Sequence, residues 1–367
     1  MVKLNSNGID GLIENLKDKE LICFGAGNHF QTVMNLYKMY DLVSYCKCII
    51  DNNKNLDGKL RKYGNVAFNI HSLEFIKNVI NKDKHVILIT CHFKSMEVLH
   101  SLDEILEFEN VEVYIGSFLS DELNYIGNYD VISKGEQLIP KTIHYCWFGK
   151  GEMPEDYHNY IDTWKEKCPS YAIKKWDESN FDITQSKYAE QAYIAKKWAF
   201  VSDYVRLKVL YDEGGIYLDC DVELLKNFDK LLENSFFCGF EDENHISFGL
   251  GFGSVKGHKL LEYLLDIYDK MSFINDDGTL NMTPCTAYQT EAIIKFGFEA
   301  KNYAQFKEGI AVYPTEVLAP ISTWGVNNIN KSAYSIHHFS ASWQDNDVLI
   351  EIKKMYKEYQ HRIRENR

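Results

Sequence analysis

No run of about 18 apolar residues occurs in this chain, so no segment is expected to cross a membrane as a helix. The first twenty residues are polar and charged and lack an apolar leader core, so secretion by a signal peptide is not expected either, and a cytoplasmic location is. None of the 9 cysteines forms a Cys-x-x-Cys pair; Cys23, Cys48, Cys91, Cys146 and Cys238 lie inside apolar runs. That excludes a disulfide framework and points to reduced, buried thiols. A basic excess is also missing: 40 Lys and Arg face 53 Asp and Glu, and the net charge is −13. Nucleic-acid binding is thereby disfavoured, because neutralising a phosphate backbone needs a basic surface. A single diphosphate is a smaller demand, met by one divalent ion and one or two cationic side chains. Internal repeats and low-complexity linkers are absent.

The chain does have ample material for a core, with 45% hydrophobic and 14% aromatic residues spread along its length. At 367 residues it exceeds what one core accommodates, so two domains are expected. Residues 20–25, 45–51, 85–90 and 111–115 are short β-rich runs separated by stretches of helical length. This alternation predicts a small Rossmann-like α/β domain over 1–130. Its first strand ends in Gly25-Ala26-Gly27-Asn28 and its second in Asp51, but Phe30 occupies the third glycine position of the dinucleotide fingerprint. A tight strand-to-helix turn without ligand explains the same residues. From Ile139 a second α/β pattern begins, predicted to run over 138–345, and 346–367 reads as a C-terminal helix.

The chemistry concentrates at Asp219-Cys220-Asp221, which follows the apolar strand IYL. Two carboxylates two residues apart can converge on one hard cation if the backbone bends between them, and Mg²⁺ or Mn²⁺ favours such oxygen ligands. Spelling alone does not decide this, because Asp345-Asn346-Asp347 repeats the pattern in a polar stretch that reads as a solvated helix start. The first pair differs in its setting. Ser202, Asp203 and Arg206 precede it on a helix that Gly214-Gly215 stops, and Asp203 and Arg206 share a face of that helix.

The passages IPKTIHYCWFG, TWKEKCPSYAIKKWDESN and SDYVRLKVLYDEGGIYLDCDVEL together resemble the sugar-binding region of glycosyltransferase family 32. That group includes bacterial capsular-polysaccharide transferases and yeast mannosyltransferases, with the large clostridial glucosylating toxins more distantly similar. The resemblance covers about residues 138–345 and not the first 130. It implies a GT-A nucleotide-sugar domain that retains the anomeric configuration. It also implies that Asp219 and Asp221 hold the metal and that Asp203 and Arg206 contact the donor hexose, with Tyr217 behind them. Trp147 would stack on the base; a core aromatic is the other reading. Asn180 would bind near the ribose or base, or else close an Asx turn. Ser202 lies in the same donor-binding block. His338, Ser342 and Trp343 in HHFSASW fall where the family closes the donor site, with His where the toxins have a carboxylate. Neighbours on a strand point to opposite faces, so at most one of His337 and His338 faces the ion; His338 is named as the ligand, and a buried, hydrogen-bonded histidine is the other reading.

The resemblance implies transfer of a hexose, galactose or glucose, from a UDP-sugar to a glycan hydroxyl, with Mn²⁺ or Mg²⁺ as cofactor. The acceptor would be a bacterial surface or capsular glycan, lipid-linked in one variant. A different class of function fits as well: a non-catalytic sensor that binds a nucleotide-sugar or dinucleotide. The basic residues of 351–367 leave two readings of the tail, a solvated helix or a peripheral contact with anionic lipid.

Overall fold

The computed structural model describes residues 2–91, 94–106, 110–119, 129–131, 135–323, 327–340 and 346–365. It divides into two units, Met1–Glu122 with Gln344–Arg367, and Leu123–Trp343.

In the first unit the elements are β1 (Lys3–Leu4), α1 (Gly8–Leu16), β2 (Glu20–Phe24), α2 (Asn28–Leu36), α3 (Leu42–Tyr45), β3 (Cys46–Asp51), β4 (Leu60–Tyr63), β5 (Val66–Ser72), α4 (Leu73–Val79), β6 (His85–Ile89), α5 (Ser95–Ile105) and β7 (Glu112–Ile115). The strands form one sheet in the order β1-β7-β6-β2-β3-β5-β4. Every neighbouring pair is parallel except β4 with β5, which form a hairpin at the edge. The four expected strands are thus present as β2, β3, β6 and β7. Their residues are almost wholly apolar because helices cover the sheet. Asp51, at the end of β3, accepts hydrogen bonds from Ala26 N and Asn53 N at 2.8 Å each. Its carboxylate thereby ties down the turn after β2, and Phe30 is fully buried against Phe68.

The second unit contains β8 (Thr142–Cys146), α6 (Glu155–Lys167), β9 (Ala172–Trp176), α7 (Lys187–Ile194), α8 (Trp198–Glu213), β10 (Gly215–Tyr217), β11 (Val222–Leu224), β12 (Phe236–Phe240), β13 (Ile246–Ser247), β14 (Phe252–Ser254), α9 (Lys259–Lys270), α10 (Cys285–Lys295), β15 (Gln305–Lys307), β16 (Ile310–Tyr313), α11 (Thr315–Leu318) and β17 (Ser335–His337). Its main sheet runs β15-β16-β12-β14-β10-β8-β9, with β13 on β12. Strands β8, β9, β10, β12 and β16 point the same way, β14 and β15 the other. The carboxyl ends of five strands therefore lie along one edge, where ligands bind in sheets of this kind.

Alternation along the strands buries both faces of this sheet. Tyr217, Phe236 and Phe252 join Tyr204 and Leu207 of α8 in one cluster, while Ile216 and Phe237 join Ile161 and Trp164 of α6 in another. Helix α8 stops because Gly214 takes φ 72 and Gly215 φ 111, conformations that side chains rarely adopt. A Cβ on Gly215 would also stand 2.7 Å from Thr142 O, so this glycine lets β10 lie close beside β8.

Helix α12 (Asn346–Glu365) returns the chain to the first unit. Its buried Met355, Tyr359 and Ile363 recur every turn, Phe118 stacks on Tyr359 at 4.4 Å, and Arg362 pairs with Asp103 at 2.7 Å. Among the described residues no helix is long and apolar enough to cross a membrane.

Candidate active site

The site is built where β10 ends. The backbone leaves the sheet after Tyr217, and β11 is redirected to pair with β17 in a separate two-stranded ladder, Val222 opposite His337. Trp164 of α6, fully buried, donates Nε1–H to Val222 O at 2.7 Å, and Leu224 N donates to Thr163 Oγ1 at 2.9 Å. These contacts fix the bend that lets Asp219 and Asp221 approach each other.

Arg206, only 4% exposed, organises the first carboxylate. Its Nη2 lies 3.1 Å from Asp219 Oδ1 and 3.3 Å from Asp203 Oδ1, and its guanidinium stands 4.9 Å above the Tyr217 ring. Tyr217 donates its hydroxyl to Asp219 Oδ1 at 3.0 Å. Backbone closes the remaining side: Asp219 N donates to Gly249 O at 3.2 Å, and a Cβ on Gly249 would overlap Asp219 Oδ2. Burial pushes the Asp203 carboxyl up to about 6, although Arg206 beside it pulls the other way. A buried carboxylate pair survives here because a buried cation lies between its members.

The second carboxylate meets a histidine. His337 Nε2 lies 3.1 Å from Asp221 Oδ1, and Ser340 N donates to Asp221 Oδ2 at 2.8 Å. Burial alone would push the Asp221 carboxyl up, but the His337 charge and these hydrogen bonds outweigh it and hold Asp221 well below the usual carboxylate range. For the imidazole, burial acts downward and Asp221 upward, and Asp221 prevails, so His337 is raised. One ligand atom each from Asp219, Asp221 and His337 lies within 4.8 Å of the others.

The sequence pattern placed His338 at this point; the structure places His337 there instead. His337 is the last residue of β17 and faces the carboxylates. His338 points away, stacks on Tyr160 at 4.2 Å and sets Nε2 3.0 Å from Glu223 Oε2. Strand alternation allowed only one of the pair to face the aspartates, and the register Val222↔His337 selects the first.

Trp147, just beyond β8, is half-buried, donates Nε1–H to Gly151 O at 2.8 Å and packs edge-on against Tyr157. With Lys150, Gly151, Lys175, Asp177, Glu178 and Ser179 it lines a hollow of about 380 Å³ at the carboxyl ends of β8 and β9. That hollow does not extend to the aspartates, which lie at the next strand end along the same edge. Asn180 is engaged in its own turn, accepting from Asp177 N at 2.9 Å and donating to Lys175 O at 2.8 Å. Ser202 donates back to Trp198 O along α8 at 3.2 Å. Ser342 and Trp343 lie outside the described residues.

Three neighbours carried no clear sequence signal. Cys285 Sγ lies 3.9 Å from Arg206 Nη1. Glu241, at the end of β12, is pushed up to about 7 by burial and by the charge of Asp242. Gln289 accepts from Phe248 N. Gly249 belongs to the glycine-rich run FGLGFGS.

Residues 154–237 match the family model described as a glycosyltransferase sugar-binding region containing a DXD motif. The initiation-specific alpha-1,6-mannosyltransferase of Candida albicans is 27% identical over 129 residues, 32% of this chain and 32% of that one. The inositol phosphoceramide mannosyltransferase 3 of Schizosaccharomyces pombe is 31% identical over 142 residues, 36% of this chain and 38% of that one. The chain thus spans about a third of the length of these curated relatives. A solved structure titled PaToxG Glycosyltransferase aligns with 22% identity and a TM-score of 0.34, covering 43% of this chain and 69% of that one.

Proposed function

We propose, from the premise that this chain carries a DXD-containing glycosyltransferase sugar-binding region, that it transfers a hexose from a nucleoside-diphosphate sugar to a glycan hydroxyl. The observation that carries the reading is the convergence of Asp219, Asp221 and His337 beside the buried Asp203–Arg206 pair. On this reading residues 138–345 are a GT-A nucleotide-sugar domain, and the parallel sheet of 1–130 is a Rossmann-like companion.

The donor atoms suit a divalent ion. Two carboxylates and one imidazole favour Mn²⁺ over Mg²⁺, which takes oxygen ligands almost exclusively. Asp219, Asp221 and His337 would hold it, and its charge would offset the negative charge that builds on the departing diphosphate. His337 would have to be neutral to act as a ligand, giving up the proton that it holds toward Asp221.

The chain's own residues do the rest. Asp203, buried and balanced by Arg206, accepts hydroxyls of the donor hexose, and Arg206 holds Asp219 in place while opposing the burial that raises its carboxyl. Trp147 offers a flat face for the base at the mouth of its hollow, a stacking contribution of ~1–3 kcal/mol. No carboxylate is assigned as nucleophile, Asp203 being taken as a hydroxyl acceptor, so a front-face displacement with retained anomeric configuration is proposed.

Purified protein with Mn²⁺ and a panel of donors tests this. UDP-galactose and UDP-glucose are tried first, and mannose nucleotides are included because both curated relatives are named as mannosyltransferases. Release of UDP or GDP supports transfer chemistry. Thermal stabilisation by nucleotide and Mn²⁺ without release supports a sensor instead.

A further inference from the structure

Among the described residues strand β13 has a strand partner on one side only, where Gly239 faces Ser247 and Phe240 faces Ile246 of the β12–β13 pair. On its other side two consecutive side chains of α10 take the place of a strand. Thr290 Oγ1 accepts from Ile246 N at 2.9 Å, and Gln289 Oε1 accepts from Phe248 N at 2.9 Å. Gln289 is 1% exposed and its Nε2 meets no acceptor among the described residues. The amide orientation follows from the partner, since a backbone N–H requires the carbonyl oxygen.

The residue after Phe248 is Gly249, whose carbonyl accepts from Asp219 N and whose Cα forms the wall beside the Asp219 carboxylate. One turn earlier on the same face of α10, Cys285 lies 3.9 Å from Arg206 Nη1, and Arg206 Nη2 lies 3.1 Å from Asp219 Oδ1. Helix α10 therefore reaches Asp219 by two routes, through Cys285 and Arg206 and through Gln289 and the Phe248–Gly249 backbone.

We propose that Gln289 is a positioning residue for Asp219, holding Phe248–Gly249 so that the Asp219 carboxylate sits where Asp221 and His337 can share a cation with it. This rests on the metal-site reading above. Thr290 supplies the control within the molecule: its hydrogen bond has the same length and serves the same strand, but it ends at Ile246, farther from Gly249.

The test measures Mn²⁺ binding directly, by loss of the free-Mn²⁺ electron paramagnetic resonance signal, with melting curves alongside. Wild type, Gln289→Met and Thr290→Val are compared as full chains. Both variants lose a buried backbone partner and should melt lower by similar amounts. Gln289→Met should also bind Mn²⁺ roughly 10–100-fold more weakly, as expected when a group supporting a ligand is lost, whereas Thr290→Val should bind as wild type does. Wild-type affinity in Gln289→Met, or equal weakening in Thr290→Val, overturns the positioning role. If Gln289→Met does not fold, Gln289→Asn, which draws the carbonyl back by one methylene, is judged by the same criteria. A wild-type protein that binds no Mn²⁺ overturns the metal site itself, a separate result from equal affinities.

Discussion

Replacing Gly249 with Ala adds one methyl group and changes neither charge nor backbone class. Gly249 is not among the positive-φ glycines, so Ala is conformationally tolerated there. Elsewhere such a change stabilises slightly, by ~0.4–1 kcal/mol, through the unfolded state. Here the new Cβ would stand 2.3 Å from Asp219 Oδ2 and 3.4 Å from its Cγ, while Arg206 Nη1 at 3.6 Å is an ordinary contact. The guanidinium can stay, and the carboxylate must move by about 1 Å to reach van der Waals distance. A displacement of that size at a reacting centre costs roughly 10²-fold in rate. The expected result is a melting temperature within a few degrees of wild type and nucleotide release reduced about a hundredfold, with a raised Mn²⁺ requirement. Turnover within about threefold of wild type at all Mn²⁺ concentrations would refute the claim that the Asp219 carboxylate position controls the chemistry.

Trp147→Ala should weaken nucleotide binding by ~1–3 kcal/mol in titration calorimetry while melting stays near wild type, because the ring is half-buried. Unfolding with unchanged affinity in the folded fraction would make it a packing residue. His144 supplies a pH test of the fold: fully buried, it accepts from Trp176 Nε1 at 3.0 Å and contacts Gly214 O at 3.0 Å, and burial pushes it down to about 4. The unfolded chain protonates first, near 6.5, so this contribution to stability is present above 6.5 and is lost as pH falls towards 4. The loss is on the order of 3 kcal/mol. Urea midpoints across that window should fall more for wild type than for His144→Gln, and parallel curves would contradict the assignment.

The sheet strands of the first unit and the Asp219–Asp221 pair were legible because both are local. Apolar runs of strand length mark β2, β3, β6 and β7, and two acids after an apolar strand mark the bend. Strands β4 and β5 were not anticipated, since an edge hairpin with half its residues in water lacks an apolar signature. The packing of α12 with residues of the first unit depends on contacts such as Arg362 with Asp103, which no local pattern announces. The choice of His337 over His338 turned on a register between strands more than 100 residues apart, and a sequence fixes only that the two alternate. Gln289 is a single amide in an ordinary helix, and its importance appears only once Phe248 N is seen to need an acceptor.

The most direct test of the central claim compares Asp221→Asn with Asp347→Asn, the same change in two Asp-x-Asp sequences of different setting. Asp221 is buried against His337, where an Asn keeps the shape but removes the charge that would retain a divalent ion. Nucleotide release is followed across a Mn²⁺ titration, with circular dichroism establishing that both variants fold. Asp221→Asn should lose turnover by orders of magnitude, with partial recovery only at high Mn²⁺, while Asp347→Asn should match wild type. Near-normal turnover in Asp221→Asn at every Mn²⁺ concentration would contradict the account.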